Sequence, residues 1–207
     1  MEHYERVCAG VNLDAIATNM DRIKEKLPES VKMMAVVKSD GYGHGAVPIS
    51  KKLEPRDDIF GFATATAEEA LILRHAGIKK PILILGYTFP YSYEELIQND
   101  VSLTVFKEDM AKEISEAAAK AGKDASVHLK VDTGMHRIGV SCDRDGQKVA
   151  AAIAGMPKVR MDGIFTHLAN ADVKDKTDAE TQISEFKGFI EVWTRTANTA
   201  SSSERWW

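Results

Sequence analysis

Val31–Lys38 reads VKMMAVVK, an almost unbroken apolar run closed by a lysine. Proline, glutamate and serine precede it at positions 28–30, and Ser39-Asp-Gly41 follows. A short apolar run between such breakers is expected as a strand buried on both faces, the pattern of a parallel sheet. Five further segments are strand candidates: Asp58–Ala63, Pro81–Leu85, Val101–Phe106, Ala125–Val131 and Val159–Thr166. Helical signals lie between them. From Asn12 onward, Leu13, Ile16, Met20, Ile23 and Leu27 recur at three- and four-residue steps until Pro28 stops the run. Thr66-x-x-Glu69 reads as a capping box, with Gly77 as the stop after Ala76. Ser92-x-x-Glu95 and Thr177-x-x-Glu180 repeat the box. Met110, Ile114, Ala118 and Ala121 share a face that Gly122 closes, and Ile183, Phe186 and Ile190 line another. This alternation predicts an α/β fold with a parallel sheet. Both a (β/α)8 barrel and a doubly wound sheet satisfy it. A barrel takes about 250 residues, so the 207 residues here would make an incomplete one of about six βα units.

The chain is 44% hydrophobic and 28% charged, with a net charge of −4. That composition suits a folded domain able to bury its own core. No basic stripe points to nucleic acid, no apolar run is long enough to span a bilayer, and the first residues lack the apolar core of a signal peptide. Two cysteines, Cys8 and Cys142, in no ligand spacing accord with a reducing, cytoplasmic setting. The histidines show no convincing metal spacing, and no glycine fingerprint for a dinucleotide or nucleoside triphosphate is present.

The strand ends carry the chemistry. Lys38 closes the first strand and opens Ser39-Asp-Gly-Tyr-Gly-His-Gly45. Active sites of barrels lie at the carboxyl ends of strands, where desolvation favours a neutral amine able to form a Schiff base. Glycines there let backbone approach a ligand, and Tyr42 adds a hydroxyl. The competing reading is a lysine snorkelling out of a strand end above an ordinary glycine turn. Lys130, Asp132 and Arg137 follow the fifth strand. Arg137 offers a planar fork for phenolate, carboxylate or phosphate, whereas Lys130 and Asp132 could simply pair. His167 ends the sixth strand, where a lone histidine is more often structural than catalytic. A parallel barrel would gather Lys38, Lys130, Arg137 and His167 on one face.

Together these segments resemble one family. AVVKSDGYGHGA (35–46) is similar to the cofactor-lysine motif of the alanine racemases. FGFATATAEEALILRHAGIKKPILILG (60–86), KVDTGMHRIG (130–139) and GIFTHLANAD (163–172) resemble the stretches that follow in that family, in the same order from about Arg6 to Phe189. The resemblance implies an N-terminal barrel over residues 6–190, without the family's C-terminal β-domain, to which a strand near Val7–Val11 would belong. It implies pyridoxal 5'-phosphate on Lys38, which would also be one of two acid/base groups. Tyr42 would contact the cofactor phosphate, and Arg137 the phenolic oxygen and the substrate carboxylate. Lys130 matches a lysine that is carbamylated in some members, and His167 would lie against the pyridine ring. The implied reaction interconverts L- and D-alanine, supplying D-alanine for cell-wall peptidoglycan in a cytoplasmic homodimer.

The family's second acid/base tyrosine, its Asn-Ser phosphate segment and the arginine facing the pyridine nitrogen have no counterpart in these residues. The isolated chain is therefore expected to behave as a partial, inactive fragment. Residues 191–207, which carry all three tryptophans, lose the apolar period and are expected as a disordered or out-of-frame tail. Two other functions share the lysine motif: a non-catalytic single-barrel carrier of pyridoxal phosphate, and a serine or broad-specificity racemase.

Overall fold

The computed structural model describes residue 7 and residues 9–197. Helices and strands alternate as α1 (Leu13–Lys24), β1 (Met33–Val36), the single turn α2 (Lys38–Tyr42), α3 (Ala46–Leu53), β2 (Ile59–Thr64), α4 (Ala67–His75), β3 (Ile82–Ile84), α5 (Tyr93–Gln98), β4 (Val101–Val105), α6 (Glu108–Ala121), β5 (Ala125–Lys130), α7 (Arg144–Ala154), β6 (Val159–Phe165) and α8 (Thr177–Ala197). The strands follow sequence order in the sheet, and β1/β2, β4/β5 and β5/β6 pair in parallel. That is the expected α/β alternation, and six of the eight βα units of a (β/α)8 barrel lie among the described residues. The chain divides into two compact units, one ending at Ile82 and the other starting at Leu83.

In the first unit, α1 begins where Asn12 Oδ1 accepts the N–H groups of Asp14 and Ala15, both at 3.0 Å, satisfying two donors that the helix leaves unpaired. After α1, Lys24 Nζ donates to the carbonyls of Pro28 (2.9 Å), Glu29 (3.0 Å) and Val31 (2.7 Å), closing the turn into β1. Met33, Ala35 and Val37 are buried. Val36, on the alternate face of β1, is 49% exposed, so this strand is covered on one face rather than the two expected. Gly61 on β2 is required by packing, since a Cβ there would stand in the Pro81 carbonyl. Leu53, Ile59, Phe62, Leu73 and Ile78 fill the core. Ala9–Val11 form no strand, and the rest of the strand expected near Val7 includes Cys8, outside the described residues.

In the second unit β5 shows why the strands were legible. Ala125, Val127 and Leu129 are buried, while Ser126 and His128 on the alternate face are part-exposed. That alternate face is polar and bonded. Ser102 Oγ donates to Ser126 Oγ (2.7 Å), Ser126 donates to Asp162 Oδ2 (2.6 Å), and the Arg160 fork donates to both Asp162 oxygens at 2.7 Å. One rung along, His128 lies opposite Gly163, where the missing side chain makes room for the imidazole ring.

Three helix starts differ from the sequence expectation. Ser92 makes no capping bond because the 3-10 turn Pro90–Ser92 holds it in helical geometry (φ −95°, ψ −11°). Thr177 sits inside α8, with its N–H donated to Asp175 Oδ1 at 3.0 Å. The sequence reading also passed over α7, which Asp143 caps by accepting the N–H groups of Asp145 and Gly146 at 3.0 Å. At the other end α8 runs on through Ala197, tied to α7 by Gln147 Nε2 donating to the Phe189 carbonyl at 2.9 Å. Residues 191–197 are thus helical, and the remainder of the expected tail lies outside the described residues.

Candidate active site

Lys38 stands two residues beyond β1, at the start of a turn with unusual handedness. Ser39, Asp40, Gly41 and Tyr42 all have φ between +52° and +60°. Left-handed backbone costs a side-chain-bearing residue about 1–2 kcal/mol, so three such residues within four positions need outside support. Neighbouring groups supply it. Ser39 N–H donates to Glu69 Oε1 at 2.7 Å. Asp40 Oδ1 accepts the Ala46 N–H at 2.7 Å, capping α3 from six residues away. Gly41 N–H reaches the Val37 carbonyl and Gly45 N–H the Asp40 carbonyl, both at 2.8 Å. Strained backbone held by its surroundings is a frequent mark of functional sites. The turn brings the Lys38 Nζ to 5.9 Å from the centroid of the Tyr42 ring, and Tyr42 itself is 64% exposed. Sequence reasoning named both residues but missed Glu69 and Asp40.

In the second unit, Lys130, the last residue of β5, is only 3% exposed. Its Nζ donates to the Val131 carbonyl at 2.7 Å and lies 5.6 Å from the Phe165 ring centroid. Burial pushes this amine below the usual lysine range; Asp132 opposes the shift and Arg137 adds to it. The simple Lys130–Asp132 pair does not form. Asp132 lies past the strand end, and its Oδ1 accepts the N–H groups of Gly134 and His136 at 3.0 Å. Burial raises the Asp132 carboxyl, but these two N–H groups, His136 and Lys130 hold it below the ordinary range.

The loop then turns back. Asp132 N–H donates to the Val140 carbonyl (2.8 Å) and Val140 N–H to the Lys130 carbonyl (2.9 Å). Arg137 is presented exposed between these anchors. His167, two residues past β6, is also exposed. The β5 and β6 ends are joined beneath by Thr133 Oγ1 and Thr166 Oγ1, 2.8 Å apart. Gln182, buried on α8, accepts the Ala169 N–H at 3.0 Å and so braces the loop that carries His167. Lys130, Arg137 and His167 are thus all carried at the carboxyl ends of adjacent strands.

Comparison with known proteins identifies the family. The family model "Alanine racemase, N-terminal domain" matches residues 11–204. Alanine racemase of Desulforamulus reducens is 41% identical over 191 residues, covering 92% of this chain and 50% of its own. Alanine racemase 1 of Oceanobacillus iheyensis is 41% identical over 194 residues, covering 91% and 50%. Among solved structures, the alanine racemase of Clostridium difficile 630 in complex with cycloserine superposes with a TM-score of 0.87 at 35% identity, over 90% of this chain and 51% of that one. The chain spans about half the length of the curated relatives it matches. On this evidence the chain belongs to the alanine racemase family.

Proposed function

We propose that these residues form the cofactor-bearing part of a pyridoxal 5'-phosphate-dependent alanine racemase, one that supplies D-alanine for peptidoglycan from the cytoplasm as a homodimer. The observation that carries the reading is Lys38, an amine directly beyond a strand end on a braced left-handed turn beside a phenol. The residue types suit the cofactor's groups: in the first unit an amine for its aldehyde and a phenol hydroxyl for its phosphate, and in the second an exposed guanidinium for its phenolate. When bound, pyridoxal 5'-phosphate would supply a conjugated ring that spreads the charge left when an α-proton departs. Lys38 would hold the group covalently and, as a free amine, take or return the α-proton on its own face. Tyr42 would donate to the phosphate. Arg137 would grip the phenolic oxygen and the substrate carboxylate, and His167 would lie against the ring.

Lys130 would act on Arg137. An amine whose basicity is lowered by burial has more of the neutral form that reacts with carbon dioxide: an N–C bond forms, one proton leaves to solvent, and the carbamate anion can accept from a guanidinium. Burial and the lowered basicity of Lys130 favour that modification.

Racemisation needs a second base on the opposite face, and of the residues assigned here only Lys38 would act on the α-proton. The chain alone should therefore exchange an α-proton without inverting alanine. With pyridoxal 5'-phosphate in deuterated water, proton NMR on L-alanine and D-alanine in separate samples should show the α-proton signal of one enantiomer, the one whose α-hydrogen faces Lys38, decaying without inversion. Lys38→Ala should abolish the decay. No exchange by the wild-type chain would refute the reading.

A further inference from the structure

We propose that Glu69 is a positioning residue for Lys38, acting through the backbone of Ser39; this rests on the reading of Lys38 given above. The sequence pattern assigns Glu69 a local task, closing a capping box with Thr66. The structure keeps only half of that box. Thr66 Oγ1 accepts the Glu69 N–H at 3.4 Å, but the Glu69 carboxylate turns outward. Its Oε2 accepts the Ala65 N–H at 2.8 Å, and its Oε1 reaches thirty residues back along the chain to the Ser39 N–H at 2.7 Å.

Both carboxylate oxygens are thereby committed, one to the loop between β2 and α4 and the other to the residue bonded to Lys38. A carboxylate accepting N–H groups makes a short, strong hydrogen bond, and the first turn of α4 is where the helix dipole favours a negative charge. Ser39 is also the first residue forced into the left-handed region, with φ +54°. Glu69 therefore fixes the peptide that sets the direction in which the Lys38 side chain leaves the backbone.

Glu69→Gln keeps the shape but leaves one acceptor for two donors, and turns an NH2 group against one of them. Thr66→Ala is the control, because it weakens the same helix start without touching Ser39. Two readouts separate positioning from stability. Hydrogen exchange at the Ser39 amide should accelerate about tenfold or more in Glu69→Gln, the loss of a hydrogen bond to a charged group. It should stay unchanged in Thr66→Ala. The rate at which the Lys38-linked cofactor band appears on adding pyridoxal 5'-phosphate should fall by a similar factor in Glu69→Gln alone. Equal behaviour of the two variants, or no change in Glu69→Gln, would overturn the proposal. If the wild-type chain shows no Lys38-dependent band, the functional reading fails and the exchange experiment decides the role of Glu69 by itself. Should Glu69→Gln not fold, Glu69→Asp, too short to span both loops, carries the same test.

Discussion

Gly139 offers the sharpest test of how the Arg137 loop is built. Its φ is +135°, a region essentially closed to residues with a side chain, and a Cβ added there would stand 2.6 Å from the Asp132 nitrogen and 2.9 Å from the Val131 carbonyl carbon. Both are backbone atoms, pinned by the Asp132–Val140 and Val140–Lys130 hydrogen bonds, so they cannot swing aside as a side chain would. For Gly139→Ala, backbone strain contributes about 1–3 kcal/mol and overpacking about 1–3 kcal/mol. Partial relaxation leaves an expected cost of ~3 kcal/mol. For a chain of this size that is a fall in Tm of roughly 6–12 °C. Gly122 supplies the comparison: its φ is +69°, but nothing lies within 4 Å of an added Cβ. Gly122→Ala should cost only about 1 kcal/mol, from the left-handed conformation. Urea unfolding followed by circular dichroism measures both. If Gly139→Ala costs no more than Gly122→Ala, the close approach described here is not what shapes the loop.

Two further perturbations follow from the same geometry. Burial pushes the His128 imidazole below its ordinary value, with Asp162 opposing. The unfolded chain, titrating near ~6.5, therefore takes up the proton first, so stability from this group is complete above that pH and is lost as pH falls through the folded value. His128→Asn should flatten the fall in urea midpoint between about pH 7 and 5.5; an unchanged slope would count against it. Lys24→Met removes three carbonyl contacts and should cost about 1 kcal/mol, whereas Lys26→Met, exposed on the same segment, should be nearly neutral. Equal unfolding midpoints for the two would show that the Lys24 lock contributes nothing.

The six strands were legible because each segment is short and sharply bounded, apolar throughout as in β1 or alternating as in β5, and each lies within about two residues of its expected limits at either end. Helix α7 was not, since its buried residues are only Gly146, Ala150 and Ile153, too few large apolar side chains to mark a helical period. The glycines after Lys38 announced special backbone, yet the left-handed conformation falls also on Ser39, Asp40 and Tyr42, which carry no such signal. Glu69 was hidden by its own local pattern: a capping box already accounted for it, and nothing in a sequence shows that a carboxylate will choose a partner thirty positions away. The same holds for Asp132, which pairing rules assign to Lys130 but which the loop claims for its N–H groups. The roles of Lys38, Tyr42, Arg137, Lys130 and His167 came from family resemblance, because strand-end spacing alone left a structural reading open for each.

The central claim is a lysine-anchored cofactor on the turn after β1. Purified chain mixed with pyridoxal 5'-phosphate should develop a band near ~420 nm, as expected for a lysine-bound pyridoxal group. Borohydride should fix the label covalently, with the added mass on the peptide containing Lys38. Lys38→Ala should show neither band nor label. A band of equal strength in that variant, or a label on another lysine, would contradict the account.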